Sequence, residues 1–304
     1  MHGIVIAPKF YENNAWKSEA LYNKLCKKYN FSYICTDSPN LDGYDVAIIQ
    51  SVPYHNRPAI PPGLLDAKCK LIGEFGDLQC WDNEECIKNK EILFNRYDLL
   101  VGAYYERMEE WYPHYLYKYI HWPQYFAPYE RYSCLSINPN SRMRCLLIGS
   151  YGGHAYPLRQ HIVNSRNQYP NNGYVDVVGP WQIPFSQYPK YLNNYFCSLV
   201  FPGVNNVPVA KYFEVPAAGV LLLAKEIKEL TICGFKPNVH YVPVTRDNVF
   251  DKIKSVLANP NAYVKIRAEG VEFVRRNHSD VNRVGAFREI FDRLWPNGHM
   301  LRRN

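Results

Sequence analysis

The first hundred residues alternate short apolar runs with longer amphipathic stretches. The runs Ile4–Ala7, Ser32–Cys35, Val46–Gln50, Lys70–Gly73 and Leu99–Gly102 are four or five residues long and mostly apolar. That is the pattern of strands buried on both faces of a sheet. Between them, Trp16–Tyr29 and Glu84–Asn95 carry helical periodicity. Strand and helix in alternation predict a parallel sheet covered on both sides. Pro53, Pro58, Pro61 and Pro62 break the chain between two strands and predict a long loop at a sheet edge or cleft.

The segment from His121 to Pro128 has neither period and reads as an interdomain linker, followed by a polar loop through Asn138-Pro139-Asn140-Ser141. A second alternating unit then begins. Arg144–Gly149, Val175–Gly179, Ser198–Phe201 and Val220–Ala224 read as strands. Pro157–Asn167, Tyr188–Tyr195, Pro208–Ala218, Asn248–Ala258, Ala262–Arg276 and Ser279–Leu294 read as helices. The expected organisation is an N-terminal domain over 1–122, a linker over 123–140, a second domain over 141–280 and a terminal helix over 281–304. The apolar spacing of Val281, Val284, Phe287, Phe291 and Leu294 fits that helix packing back toward the N-terminal domain. The fold class is α/β, with two Rossmann-like domains facing a central cleft. In such folds ligands bind at the carboxyl ends of the strands.

Composition narrows the setting. A chain of 304 residues with 47% hydrophobic and 21% charged residues suffices for two domains with real cores. No run reaches the roughly 18 apolar residues of a membrane span, and no signal-peptide pattern opens the chain, so a soluble, cytoplasmic protein is expected. Nine scattered cysteines without a C-x-x-C pair favour reduced core thiols over a disulfide framework or structural zinc. A net charge of +7 suits an anionic substrate or, with a wider basic face, nucleic acid. Most of the 26 tyrosines are expected to pack, although tyrosine can also stack on sugars or bases.

Two segments carry candidate chemistry. In Lys211-Tyr212-Phe213-Glu214-Val215-Pro216-Ala217-Ala218-Gly219, a carboxylate near a helix start can accept both hydroxyls of a ribose. Ala217 and Ala218 allow close approach to a sheet, and Gly219 stops the helix. A solvated glutamate on an ordinary helix fits the same pattern. In Gly149-Ser150-Tyr151-Gly152-Gly153-His154, a glycine-containing loop leaves a strand and opens a helix. Its backbone N–H groups can face a diphosphate, though a plain tight turn reads identically.

These segments resemble glycosyltransferases of the two-domain B fold, especially the spore-maturation-type group. Lys211, Phe213-Glu214 and Ala218-Gly219 match the family's run of basic residue, F-E pair, small residue and glycine before an apolar strand. Gly234-Phe235-Lys236-Pro237-Asn238-Val239-His240-Tyr241-Val242 is similar to its "F-x-x-G-x-H-Y-V" loop, with Asn238 where glycine is usual. Asparagine tolerates the left-handed backbone that glycine supplies. Asn277-His278-Ser279 and Arg283 resemble its "E-H-T…R" helix.

The resemblance implies a nucleotide-sugar donor as co-substrate, with no cofactor, and Glu214 on the donor ribose. It also implies Asn206 at the position of a first glutamate that many retaining members carry. Arg159, which resembles a family arginine, and Lys211 are the candidates for neutralising the leaving diphosphate. The chain holds no Asp-x-Asp pair to seat a divalent ion, so no metal is expected. On the acceptor side, Asp77 and His55 are candidate general bases if the reaction inverts configuration.

The expected activity is sugar transfer to a hydroxyl acceptor, a glycan first. The alternatives are a DNA-modifying glucosyltransferase and a catalytically silent nucleotide-sugar-binding module. The intact Lys211–Glu214 pair speaks for the enzyme.

Overall fold

A computed structural model describes residues 1–8, 17–51, 60–75, 78, 84–123 and 125–296. The chain divides into two compact units, Met1–Gln124 with Asp280–Asn304, and Tyr125–Ser279. Each is a parallel sheet alternating with helices, as the two Rossmann-like domains of the expected fold class require.

The first unit runs β1 (Gly3–Ala7), α1 (Lys17–Tyr29), β2 (Phe31–Cys35), β3 (Val46–Ser51), β4 (Lys70–Phe75), α2 (Glu84–Arg96), β5 (Leu99–Gly102), α3 (Tyr105–Trp111) and β6 (Tyr119–His121). All six strands are parallel, in the order β2-β1-β3-β4-β5-β6. The apolar runs are strands because both sheet faces are covered: Ile4, Val5, Ile6, Val46–Ile49 and Leu99–Val101 are buried throughout. Gly73 lies so close under Tyr97 that a Cβ there would stand 2.5 Å from the ring.

The terminal helix α11 (Asp280–Leu294) belongs to this unit. Its buried stripe is Val284, Phe287, Ile290 and Phe291, whereas Val281 is 54% exposed and stands off the packed face. Phe287 meets Trp122 edge-on at 4.7 Å, and Phe291 meets Tyr29 at 5.0 Å. Lys24 on α1 pairs with the buried Asp280.

The second unit opens with a short helix α4 (Tyr129–Tyr132). It continues through β7 (Arg142–Ile148), α5 (Pro157–Ser165), β8 (Val175–Val178), α6 (Tyr188–Asn193), β9 (Tyr195–Val200), α7 (Lys211–Ala217) and β10 (Leu221–Ala224). After these come α8 (Lys228–Ile232), β11 (Val242–Pro243), α9 (Val249–Ala258) and α10 (Val264–Asn277). The sheet order is β11-β10-β9-β7-β8, again all parallel.

Alternate residues of each strand feed opposite faces. Leu146, Ile148 and Leu222 pack with α7 and Val274 of α10, while Cys145, Leu147, Leu221 and Leu223 pack with Ile162 of α5 and Ile253 of α9. Residues 125–135, expected as linker, are built into this unit instead. Phe126, Ala127 and Tyr132 are buried, and the Ala127 N–H bonds the His278 carbonyl at 3.0 Å. Apolar anchors there are too sparse for a period, yet each finds a slot in a folded core.

Among the described cysteines seven are free thiols. Cys86 departs from the all-reduced expectation and is disulfide-bonded; nothing in the cysteine spacing signals it. Among the described residues no helix is long and apolar enough to cross a membrane.

Candidate donor site in the second unit

The site is assembled at the carboxyl ends of β7, β9 and β10. Strand β7 ends where Gly149 turns to φ 110°, a conformation that side chains rarely adopt. The Gly149 N–H still bonds the Val178 carbonyl of β8 at 2.9 Å, so the loop leaves directly from the carboxyl end of the sheet. Ser150, Gly152 and Gly153 are exposed in that loop, with Gly153 at φ 71°. Pro157 then opens α5 at the position where its missing N–H costs nothing.

Arg159 is buried, at 3% exposure, with its guanidinium against the Tyr156 ring. Its Nε donates to the Phe201 carbonyl at 3.0 Å and its NH1 to the Ser150 carbonyl at 2.9 Å. It thus ties the end of β9 to the loop after β7. The sequence pointed to Arg159 as a diphosphate contact; the geometry gives it first a structural task, holding that loop in shape.

Lys211, the first residue of α7, reaches the same place. Its Nζ lies 2.9 Å, and Arg159 NH1 3.9 Å, from where a Cβ on Gly149 would stand. Two cations therefore converge on the first residue of the glycine-containing loop.

Glu214 follows three residues later and is only 2% exposed, which removes the solvated-glutamate alternative. The helix presenting it is short and contains Pro216, which cannot donate within the helix. Its C-terminal end is fixed from outside. Arg275 donates to the Ala217 carbonyl, Asn193 to that of Ala218 and Arg267 to that of Gly219. Gly219 ends the helix at φ 80°.

Two tyrosines face the Glu214 carboxylate. Tyr132 Oη donates to Oε1 at 3.4 Å. Tyr188 Oη is buried and has no hydrogen-bond partner among the described residues. Burial, and then the charge of Glu214, push both phenols well above their usual pKa.

Asn206 sits at φ 54° in a turn closed by its own N–H to the Gly203 carbonyl. Its Oδ1 accepts a hydrogen bond from Lys225 Nζ at 2.9 Å. Lys225, Tyr132 and Tyr188 escaped the sequence reading. For Lys225 a signal existed, a cation directly after the β10 run; for the tyrosines none did. Asn238 adopts φ 58°, the backbone expected where glycine is usual. His278 packs on Phe235, its Nε2 3.0 Å from the Cys233 carbonyl. Asp77 and His55, the acceptor-side candidates, lie outside the described residues. Among the described residues no three His, Cys, Asp or Glu side chains cluster as a metal site.

Residues 139–289 match the protein family described as glycosyl transferase-like. At the level of sequence no curated protein matches the chain. Solved structures resemble it along nearly its whole length. HepE of Anabaena, in complex with UDP and glucose, is 9% identical over 96% of this chain and 100% of its own, with a TM-score of 0.69. An alpha-glucosyltransferase in complex with UDP and a 13-mer DNA containing an HMU base is 10% identical over 96% and 98%, with a TM-score of 0.64. Over residues 139–289 the chain thus resembles the glycosyl transferase-like proteins, and along nearly its whole length it has the fold of these solved structures, with two Rossmann-like domains.

Proposed function

We propose that the protein transfers a sugar from a nucleoside-diphosphate sugar to a hydroxyl acceptor, and that the second unit binds the donor. The observation that carries this is the meeting of Lys211 and Arg159 over Gly149, with the buried Glu214 one helical turn further along α7. Positive charge and backbone N–H groups suit a diphosphate, and a carboxylate one turn away suits the adjoining ribose. In this reading Gly149, Ser150, Gly152 and Gly153 offer N–H groups to the phosphates. Glu214 accepts the ribose hydroxyls, and the Asn206 amide reaches the sugar. Lys211 stabilises the charge that grows on the diphosphate as it leaves, and Arg159 contributes the N–H groups not used on carbonyls. These cations take the place of a metal ion. Asp77 or His55 serves as base toward the acceptor if the reaction inverts configuration.

HepE and the alpha-glucosyltransferase, both solved with UDP, support the donor class. A glycan is the first acceptor to test. The DNA-bound alpha-glucosyltransferase and the net charge of +7 favour modified DNA as a second. Duplex binding that weakens steeply with salt supports DNA, and salt-independent transfer to an oligosaccharide supports a glycan.

The first experiment is a thermal-shift screen with a panel of nucleotide-sugars. A donor that binds only the folded state raises the melting temperature. No shift with any donor at millimolar concentration defeats the proposal. A shift without transfer or donor hydrolysis leaves a binding module in its place.

A further inference from the structure

Lys225 and Asn206 form a half-buried pair in the second unit. Lys225 directly follows β10, and its N–H bonds the Val200 carbonyl of β9 at 3.4 Å. It therefore stands at the carboxyl end of β10 as Gly149 stands at that of β7, with β9 between them. Its Nζ donates to Asn206 Oδ1 at 2.9 Å. An ammonium only donates, so this contact fixes the amide with its oxygen toward Lys225 and leaves the Nδ2 hydrogens for something else. Among the described residues Nδ2 makes no hydrogen bond, and no carboxylate pairs with Lys225.

Contacts on two sides tie this pair to the glycine-containing loop and its cations. The Val204 N–H, in the turn that carries Asn206, bonds the Ala155 carbonyl at 3.0 Å. Gly203 lies so close that a Cβ there would stand 3.1 Å from the same oxygen. Tyr156, the next residue, carries the Arg159 guanidinium over its ring, 4.2 Å from the centre. On the other side, Tyr212 Oη donates to the Lys225 carbonyl at 3.4 Å. The same phenol feels the Arg159 guanidinium, which opposes the rise in pKa that burial causes. Lys225 is thus a third cation of the site, set along the sheet from the two that meet over Gly149.

We propose that Lys225, with the Asn206 amide, recognises a carboxylate on the transferred sugar, so that the donor is a nucleoside-diphosphate hexuronic acid. This rests on the donor reading above, which places the sugar at Asn206 and the diphosphate at Gly149. Lys211 and Arg159 already match the charge of a sugar-linked diphosphate, and a further half-buried ammonium is best stabilised by a further anion. The N–H groups left on Lys225 and Asn206 call for an acceptor. A carboxylate only accepts and carries the balancing charge, whereas the hydroxymethyl group of a neutral hexose supplies no charge.

The test is calorimetric titration, at fixed ionic strength, of wild type, Lys225→Met and Lys225→Arg with matched donors. The pairs are UDP-glucose with UDP-glucuronic acid, UDP-galactose with UDP-galacturonic acid, and GDP-mannose with GDP-mannuronic acid; UDP and GDP are the controls. Within each pair only the group at C6 differs. A carboxylate held by charge-assisted hydrogen bonds predicts that wild type binds one acid about tenfold or more tighter than its neutral counterpart. Lys225→Met brings that preference below about twofold and leaves UDP and GDP affinity unchanged, whereas Lys225→Arg keeps most of it. If no acid binds tighter than its neutral counterpart, the assignment is overturned, and wild type alone decides this should a variant fail to fold. A preference that survives Lys225→Met overturns it as well. An equal loss for the acid and for UDP or GDP moves Lys225 to the diphosphate and also defeats the proposal. If wild type binds no nucleotide and no donor, the donor reading itself fails; nucleotide binding without a preference for an acid defeats this inference alone.

Discussion

Lys211 Nζ occupies the space that a side chain on Gly149 would need, 2.9 Å from the position of a Cβ. The glycine is thereby doubly determined. Its φ of 110° disfavours any side chain, and a Cβ would in addition displace the ammonium beside it. Gly149→Ala is expected to cost about 1–3 kcal/mol in stability through the backbone alone. The lysine tip can swing aside, so the steric part costs the fold little. It removes the cation from the loop, however, so transfer should fall much further than stability. Urea unfolding beside steady-state kinetics separates the two.

In the proposed site Glu214 and Lys211 have different tasks, and their variants should fail differently. Glu214→Gln keeps the shape and an oxygen for the Tyr132 hydroxyl but removes the charge. A charge-assisted hydrogen bond is worth about 1.5–3 kcal/mol, so donor affinity should drop about 10- to 100-fold. Lys211→Ala should lower turnover more than binding, because its partner charge grows only as the diphosphate leaves. Calorimetry for the first and single-turnover kinetics for the second are the measurements. Donor affinity unchanged in Glu214→Gln removes the ribose role.

Much of this site could be read from the chain because its parts are local. The loop after β7 and the Lys211–Glu214 helix are short segments whose glycines and charges sit together in sequence. What surrounds Glu214 is not local. Tyr132 lies 82 positions away in the chain, in a stretch that reads as linker, and only the folded unit brings the two together. The same distinction holds for the fold. Val46–Ile49 announces a strand by itself, whereas β6 is three residues, Tyr119-Ile120-His121, whose pairing with β5 decides its conformation.

A second ionisable group lies in the first unit. Glu74 is buried near the carboxyl end of β4, level with Gln50 of β3, whose Nε2 donates to Oε2 at 3.2 Å. Tyr22 of α1 faces the same carboxyl, yet neither its hydroxyl nor Glu74 Oε1 completes a hydrogen bond among the described residues. Burial raises the Glu74 pKa from 4.5 to about 7, and the Tyr22 hydroxyl and the Gln50 amide that face it only partly oppose this. The folded state therefore holds this proton more tightly than the unfolded chain does. The stability it contributes is complete below about pH 4.5 and is lost as pH rises to about 7, with little further change above. The loss is about 3 kcal/mol. Glu74→Gln should remove this slope and leave the variant more stable than wild type at pH 8. Parallel urea titrations at pH 5 and pH 8 measure it, and equal slopes in the two proteins refute it.

The two tyrosines at Glu214 make opposite predictions although their hydroxyls face one carboxylate. Tyr132 donates to Glu214 Oε1, so Tyr132→Phe leaves a buried carboxylate one donor short. Stability should fall by about 1–2 kcal/mol, the lower part of the range for a hydrogen bond to charge, because 3.4 Å is long. Tyr188 is the reverse case. Its buried hydroxyl has no partner among the described residues, and such a group lowers stability until something pairs with it. Tyr188→Phe removes that unmet group and keeps the ring, so its stability should equal or exceed that of wild type by up to about 1 kcal/mol. Folding data alone then rank the variants Tyr132→Phe, wild type, Tyr188→Phe in rising stability. Donor titration adds the functional half. Tyr132 holds the carboxylate in place, so its loss should weaken donor binding severalfold as well. If Tyr188→Phe proves as destabilising as Tyr132→Phe, the Tyr188 hydroxyl is already hydrogen-bonded in solution and this account of the Glu214 surroundings is wrong.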